Sequence, residues 1–261
     1  MSEDAKRRQR VQSVEIGMHV LRCLASAGGG VTLARLARDA DLAPAKLHRY
    51  LTSFVRTGFA AQDPDTGHYL LGPEALAMGL AALRQVDVVA IAARALARFT
   101  DAVNESCFLA VWGNRGPTIV RWQESTRPVT VNVRVGSVMP VLTSATGHVF
   151  CAYMKSDELT ALIRTEVQEL ARETLRRGCR SQAEVEELAE AVRRRGYSLI
   201  EGLLLPGVAA ASAPIFDHNG RLAGAITTLG PQGSLDLSPH GAVLQALIET
   251  AKSVSRELGG G

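Results

Sequence analysis

Within residues 44–57 the cations and hydroxyls fall into a line. Lys46, Arg49, Ser53 and Arg56 stand 3, 4 and 3 residues apart, a spacing that places them along one side of a helix. Tyr50 borders that line, and His48 and Thr52 form the neighbouring row. Arg and Lys bond guanine edges or phosphates, and hydroxyls bond phosphates, so the stripe has the chemistry to read DNA. Taken alone it is an ordinary solvated face. A second segment, Thr143-Ser144-Ala145-Thr146-Gly147, opens a predicted helix. Backbone N–H groups and the positive end of the helix dipole suit a small carboxylate there, and small side chains let a ligand approach the backbone. Taken alone this segment is more readily a plain N-cap by Ser144 or Thr143.

Catalytic patterns are missing from the sequence. The histidines, His19, His48, His68, His148, His218 and His240, include no pair at metal-ligand spacing. There is no G-x-S-x-G elbow and no P-loop, since Gly28-Gly29-Gly30 lacks a following Gly-Lys-Ser/Thr. Cys23, Cys107, Cys151 and Cys179 lie 84, 44 and 28 residues apart, without C-x-x-C, and read as reduced, buried thiols. We therefore expect no catalytic residue, cofactor or metal. A rival reading is a small-molecule hydrolase or thiol enzyme with an appended helical domain. It requires the fold to bring Cys107 or Cys151 to His148 as a thiol–imidazole pair.

The elements that would position these residues follow from pattern. Residues 12–27 read as a helix with Val14, Met18, Leu21 and Leu24 inward, ended by the three glycines. Thr32 caps a short helix over 33–40, with Leu33, Leu36 and Ala37 inward. Pro44 suits the first turn of a third helix, which buries Leu47, Leu51, Phe54 and Val55. Strands at 59–62 and 68–71 flank Asp63-Pro64-Asp65-Thr66-Gly67, a turn by composition. Helix, helix, turn, helix, hairpin is a winged helix-turn-helix pattern, with His68 near the wing tip. Residues 73–104 are helical with a break near 85–87. Beyond them, strands are expected at 106–112, 118–123, 129–135, 197–201, 208–215 and 221–229, and helices at 145–154, 157–164, 182–195 and 239–258. This is an α+β chain with a mostly antiparallel sheet.

Charge supports the division. Of the 29 Lys/Arg and 26 Asp/Glu in 261 residues, 11 and 8 fall in residues 1–85 and 18 and 18 beyond, so all of the net +3 lies in the first third. The basic arm Lys6–Arg10 could lie along a DNA backbone or enter a minor groove. Aromatics are only 5%, with no stacking platform for single strands, which favours duplex DNA over RNA. Arg176, Arg177, Arg180 and Arg193–Arg195 are offset by neighbouring glutamates and read as solvated surface. No apolar run approaches the roughly 20 residues of a membrane span. The charged N-terminus lacks an apolar secretory core, so a cytoplasmic protein is expected.

The order of motifs resembles the IclR family of bacterial transcription regulators. The resemblance rests on Gln12-Ser13-Val14, residues 33–40, Leu42-Ala43-Pro44-Ala45-Lys46-Leu47-His48-Arg49-Tyr50-Leu51, Gly58-Phe59 and Thr66-Gly67-His68-Tyr69-Leu70-Leu71-Gly72. It continues through Ala145-Thr146-Gly147-His148-Val149, Gly196-Tyr197, Pro206-Gly207-Val208 and Ala213-Pro214-Ile215-Phe216-Asp217, covering about residues 12–258.

Behind the basic arm (1–11), it implies a winged helix-turn-helix domain (12–72), a linker helix region (73–104) and an effector-binding and oligomerisation domain (105–261). It also implies a dimer or tetramer on (pseudo)palindromic double-stranded DNA, with Lys46, His48, Arg49, Tyr50, Ser53, Arg56 and His68 as contact residues. The family commonly has Ser-Thr where Ala45-Lys46 stands here, which exchanges a phosphate-binding hydroxyl for a cation and predicts a steeper salt dependence. The resemblance places the effector carboxylate at Ser144, Ala145, Thr146 and Gly147, and the other pocket positions at Ile200, Ala210, Thr227 and Leu229. Members that bind small keto acids often have Asp, Cys, Ser and Ser at these last four. Three of the four are apolar here, so a larger, more apolar effector is expected, such as an aromatic carboxylate. The bland alternatives are that these residues only pack the core, or that the domain is a DNA-binding scaffold whose sensor has lost its ligand.

Overall fold

The computed structural model describes residues 11–85, 87–127, 133–172 and 178–260. The chain divides into two compact units, Met1–Val86 and Asp87–Gly261. The basic arm, the pair Arg176-Arg177 and most of the strand expected at 129–135 lie outside the described residues. Of that strand, residues 133–135 are not extended pairing partners but lead into a turn closed by Ser137 N–H donating to the Arg134 carbonyl (2.9 Å).

The first unit holds α1 (Gln12–Ser26), α2 (Leu33–Asp39), α3 (Pro44–Arg56), β1 (Ala60–Gln62), β2 (Tyr69–Leu71) and α4 (Pro73–Gln85). Its core joins Val20 and Leu24 of α1, Leu36 and Ala37 of α2, and Leu47 and Leu51 of α3 with Ala60 and Tyr69 of the hairpin. The expected inward stripe of α1 is out of phase: Val14 and Met18 are exposed, and the buried face is Gly17, Val20 and Leu24. The cause is Gly17, over which α3 lays Phe54 and Tyr50; a Cβ there would stand 3.1 Å from the Phe54 ring. Hydrophobic pattern cannot register a glycine as a contact point. Val55 of α3, expected inside, is likewise exposed. The wing is fastened at its base by Gly72, where a Cβ would meet the Gly58 carbonyl at 2.2 Å, so only glycine fits.

The second unit holds α5 (Val88–Val103), β3 (Ser106–Gly113), β4 (Gly116–Gln123), α6 (Ala145–Tyr153), α7 (Asp157–Arg172), α8 (Gln182–Arg195), β5 (Ser198–Glu201), β6 (Val208–Phe216), β7 (Leu222–Pro231) and α9 (Ala242–Glu257). The five strands form an antiparallel sheet in the order β4-β3-β7-β6-β5. Alternation decides the two faces. Cys107, Leu109, Ala211, Ala213, Ile215 and Ile226 pack under α5 and α9, while Phe108, Ala110, Ile200, Ala210, Ala225 and Leu229 pack under α6.

Residues 73–104 thus form two helices, and α5 is no simple linker. It is capped by Asp87, which accepts from the Val89 and Ala90 N–H groups, and it buries Ala92, Ala95, Leu96 and Phe99 in the core of the second unit. Helix α7 runs two turns beyond its expected end at 164, because Val167 and Leu170 continue the apolar face begun by Leu159 and Ile163. Among the described residues no helix is long and apolar enough to cross a membrane.

Candidate nucleic-acid interface and effector pocket

Helix α3 presents Lys46, His48, Arg49, Ser53 and Arg56 to solvent, as their spacing requires, opposite Leu47 and Leu51. Three side chains differ from expectation. Tyr50 is half-buried and leans on Gly17 of α1, so only part of it borders the cationic stripe. The Ser53 hydroxyl donates to the Arg49 carbonyl (3.1 Å), and Thr52 does the same to His48 (2.9 Å), so both protons serve their own helix.

The wing also differs. His68 is half-buried beside Gly30, and the tip itself is acidic. Asp63 Oδ1 accepts the N–H groups of Asp65 (2.9 Å) and Thr66 (2.8 Å), and these bonds hold its carboxyl below the usual range. A charged Asp63 beside Asp65 repels phosphate, so among the described residues of this unit the wing tip adds no cation to the α3 stripe.

In the second unit, the predicted pocket residues converge on one face of the sheet. Ile200 pairs with Ala210, and Ala210 with Leu229, in one cross-strand row. Ser198, Ser212, Thr227 and Phe108 form the adjacent row. Above them stands the start of α6. A cavity of about 40 Å³, partly open to solvent, is lined by Ser144, Ala145 and Thr146 and by Ile200, Ala210, Thr227 and Leu229. Phe108, Val133, Met139, Leu204, Leu205 and Val208 complete the walls. Of these, Phe108, Val133 and Met139 were not named from sequence, whereas the apolar run Leu203-Leu204-Leu205 before Pro206-Gly207 was. Period-two alternation marks Phe108, but nothing local marks Met139 or Val133. Among the described residues no charged side chain lines the cavity.

Gly147 does not line it. A Cβ at Gly147 would lie 2.1 Å from the Pro140 carbonyl and 2.4 Å from Val141 Cα, so its task is to let α6 pass over the preceding loop. That loop is fixed: the Glu166 carboxylate accepts from the Val141 and Leu142 N–H groups (both 2.8 Å). Ser144 is indeed an N-cap, accepting from Gly147 N–H (2.9 Å) while donating to the Pro140 carbonyl (2.6 Å). The cap and the cavity coexist, because the N–H groups of Ala145 and Thr146, in the first turn, have no acceptor four residues back inside the helix.

His148, the next residue, is a core histidine. Its Nε2 faces the Leu142 carbonyl (3.0 Å), which only accepts, so Nε2 carries the proton and Nδ1 accepts from Ser198 Oγ (3.1 Å). Burial depresses its pKa below the ordinary 6.5, against the opposing pull of the Leu142 carbonyl. Below pH 6.5 the unfolded chain takes up a proton that the folded chain refuses, so stability present above that pH is lost as pH falls. We expect urea midpoints to drop on acidification, by no more than about 1.4 kcal/mol per pH unit from this group. A His148→Gln slope as steep as wild type would refute the assignment.

Both ring nitrogens being engaged, His148 has none left for a thiol. Cys107 lies on the other face of the sheet, against Thr100 and the Leu96 carbonyl, and burial pushes its thiol up to about 12. Burial likewise pushes Cys151 up to about 11. The thiol–imidazole pair that an enzyme reading needs is not formed. Cys23 and Cys179, expected to be buried, are only half-buried. Arg194 pairs with Glu190 (3.3 Å) on an exposed face, as the i, i+4 spacing of α8 predicts. Among the described residues no group of three or more His, Cys, Asp or Glu is placed to hold a metal.

The fold defines a winged-helix unit with a cationic third helix, followed by an α+β unit with a small, partly open cavity. Residues 13–64 match the IclR helix-turn-helix domain, and residues 80–256 match the bacterial transcriptional regulator IclR C-terminal domain. The chain belongs to the IclR family. It is 32% identical to the glycerol operon regulatory protein of Streptomyces griseus, over 97% of this chain and 98% of that one. It is 27% identical to the transcriptional repressor IclR of Escherichia coli K12, over 96% and 91%. The crystal structure of Pseudomonas aeruginosa HmgR superposes with a TM-score of 0.86, at 42% identity, over 96% of this chain and 99% of that one. The protein is a transcriptional regulator with a helix-turn-helix DNA-binding domain and a C-terminal effector domain; its relatives are regulators, not enzymes.

Proposed function

We propose that α3 lies in the major groove of a (pseudo)palindromic operator, and that the cavity beside α6 holds a small organic acid with an apolar, aromatic body. The observation that carries the second part is the cavity's composition. One end offers the first N–H groups of α6, which suit a carboxylate; the walls are hydrocarbon and carry no charge. Such walls cannot repay the desolvation of a small hydrophilic acid, but they reward burial of a ring at about 25 cal/mol per Å².

Self-association supplies the two-fold symmetry that a palindrome needs. It is supported by exposed apolar residues on α1 (Val14, Met18) and α4 (Leu76, Met78, Leu80). The regulator acts in the cytoplasm, where its DNA lies. Effector binding shifts the population of DNA-competent molecules, with a coupling of about 1–3 kcal/mol.

The test is calorimetry on the purified protein with benzoates and phenylacetates against pyruvate and glyoxylate, each repeated on the DNA complex. Aromatic acids are expected to bind and to change DNA affinity. Tighter binding of the keto acids would overturn the reading.

A further inference from the structure

Strand β6 outruns its neighbour β5. The chain enters β5 from Gly196, the left-handed cap of α8 (φ +79°), so pairing starts only at Ser198 with Ser212. Beyond Ser212, Pro214 and Phe216 have no β5 residue beside them. Pro214 has no N–H to leave unpaired. The Phe216 N–H donates to Ser255 Oγ of α9 (3.0 Å), and Ser255 donates in turn to the Ala251 carbonyl (2.9 Å). Both of these donors are thus used within the protein.

Beside this edge lies a hollow of about 440 Å³, partly open to solvent. It shares no lining residue with the cavity of about 40 Å³ beside α6, and its volume falls in the range of ligand sites, about 300–1,000 Å³. Its apolar wall is Pro214, Phe216, Tyr153 at the end of α6, and Ile248 and Ala251 of α9. Tyr153 and Phe216 meet edge to face, with centroids 5.2 Å apart. Both remain half-buried, as does Ile248, so large apolar surface faces the hollow and is left uncovered. Lys252 and Arg256, one helical turn apart on α9, also line it and are exposed. Glu249 pairs with Arg256. Lys252 has no acidic partner among the described residues, and none of the described side chains lining the hollow is acidic.

We propose that this hollow is a second ligand site, for a medium-chain alkyl carboxylate whose tail covers Phe216, Tyr153 and Ile248 and whose charge pairs with Lys252. Charge selects a monoanion, because one lining cation is already balanced and one is not. Shape selects a chain: the lining run of α9 from Ile248 to Arg256 spans about 12 Å of helix, laid alongside a strand edge. The site is independent of the organic-acid reading of the cavity beside α6.

Calorimetry on the full chain with butyrate, hexanoate, octanoate and decanoate tests it, each below its micelle concentration. Affinity is expected to rise about fourfold per added methylene until the hollow is filled, and then to level off. Octylammonium, with the same tail and the opposite charge, is expected not to bind. Lys252→Met should weaken octanoate about two- to fivefold while keeping the step per methylene, and Lys252→Glu should weaken it about tenfold or more. Lys252 is exposed and unpaired, so both variants keep the fold. Ile248→Trp, which fills the hollow from its wall, should abolish the chain-length step, with a thermal melt to report that it is folded.

No rise with chain length, octylammonium binding as tightly as octanoate, or octanoate binding unchanged in Lys252→Glu would each overturn the proposal. Failure of every alkanoate to bind would overturn it too. A smaller sedimenting species for Lys252→Glu would in that case assign the hollow to a second copy of the chain.

Discussion

Gly147→Ala should unfold the effector domain at a markedly lower denaturant concentration, with a loss of about 3 kcal/mol or more. The added carbon meets backbone on three sides: the Pro140 carbonyl at 2.1 Å, Val141 Cα at 2.4 Å and the Val141 carbonyl at 2.5 Å. A flexible side chain could swing aside, but this loop is held by three bonds. Glu166 grips the Val141 and Leu142 N–H groups, and His148 grips the Leu142 carbonyl. Relief would require α6 to lift from the loop, which carries Ala145 and Thr146 away from the sheet and opens the cavity. The expected result in urea titration of the second unit is an early transition, with effector response lost before secondary structure. Gly79→Ala provides the contrast. It lies in α4 with nothing within 4 Å of its added carbon, and it should gain about 0.5–1 kcal/mol from the better helix former. If Gly147→Ala were as harmless as Gly79→Ala, the close passage of α6 over the loop would be wrong.

Arg49→Ala is expected to weaken binding to a selected duplex by about 1–3 kcal/mol, roughly 5- to 150-fold. Arg49 stands exposed in the middle of the α3 stripe, and the acidic wing tip at Asp63 and Asp65 offers no substitute cation. The salt series separates its two possible partners. A base contact costs affinity for the right sequence and leaves the slope alone, whereas a phosphate contact costs all sequences alike and lowers the slope by about one. Lys46→Ala should show the second behaviour, since Lys46 places an exposed charge at the start of the helix. Fluorescence anisotropy across a salt series reads both. Arg49→Ala binding at wild-type strength on every duplex would remove α3 as the reading element.

Much of this molecule is local chemistry and was therefore legible in sequence. Pro44, Thr32, the glycine run and the Asp63–Gly67 turn fix where backbone hydrogen bonding starts and stops within a few residues. The helices and hairpin of the first unit accordingly fall within one or two residues of expectation. Alternation in β3, β6 and β7 gave a sheet with two covered faces. The resemblance to a family placed Ser144, Thr146 and the four strand positions at a common pocket.

What sequence could not supply depends on groups far apart in the chain. The buried side of α1 is chosen by Phe54 and Tyr50 settling on Gly17, which no hydrophobic periodicity marks. Helix α5 belongs to a core because the sheet behind it offers Cys107, Ala211 and Ile226. His148 is structural because Leu142 and Ser198 engage both its nitrogens, which removes the thiol–imidazole pair that its sequence neighbours left open. The buried hydroxyls of Thr146, Thr227 and Ser212 meet although Thr146 and Thr227 stand 81 residues apart. Hydrogen-bond direction is a property of the assembled donors and acceptors, so only the tertiary structure could decide it.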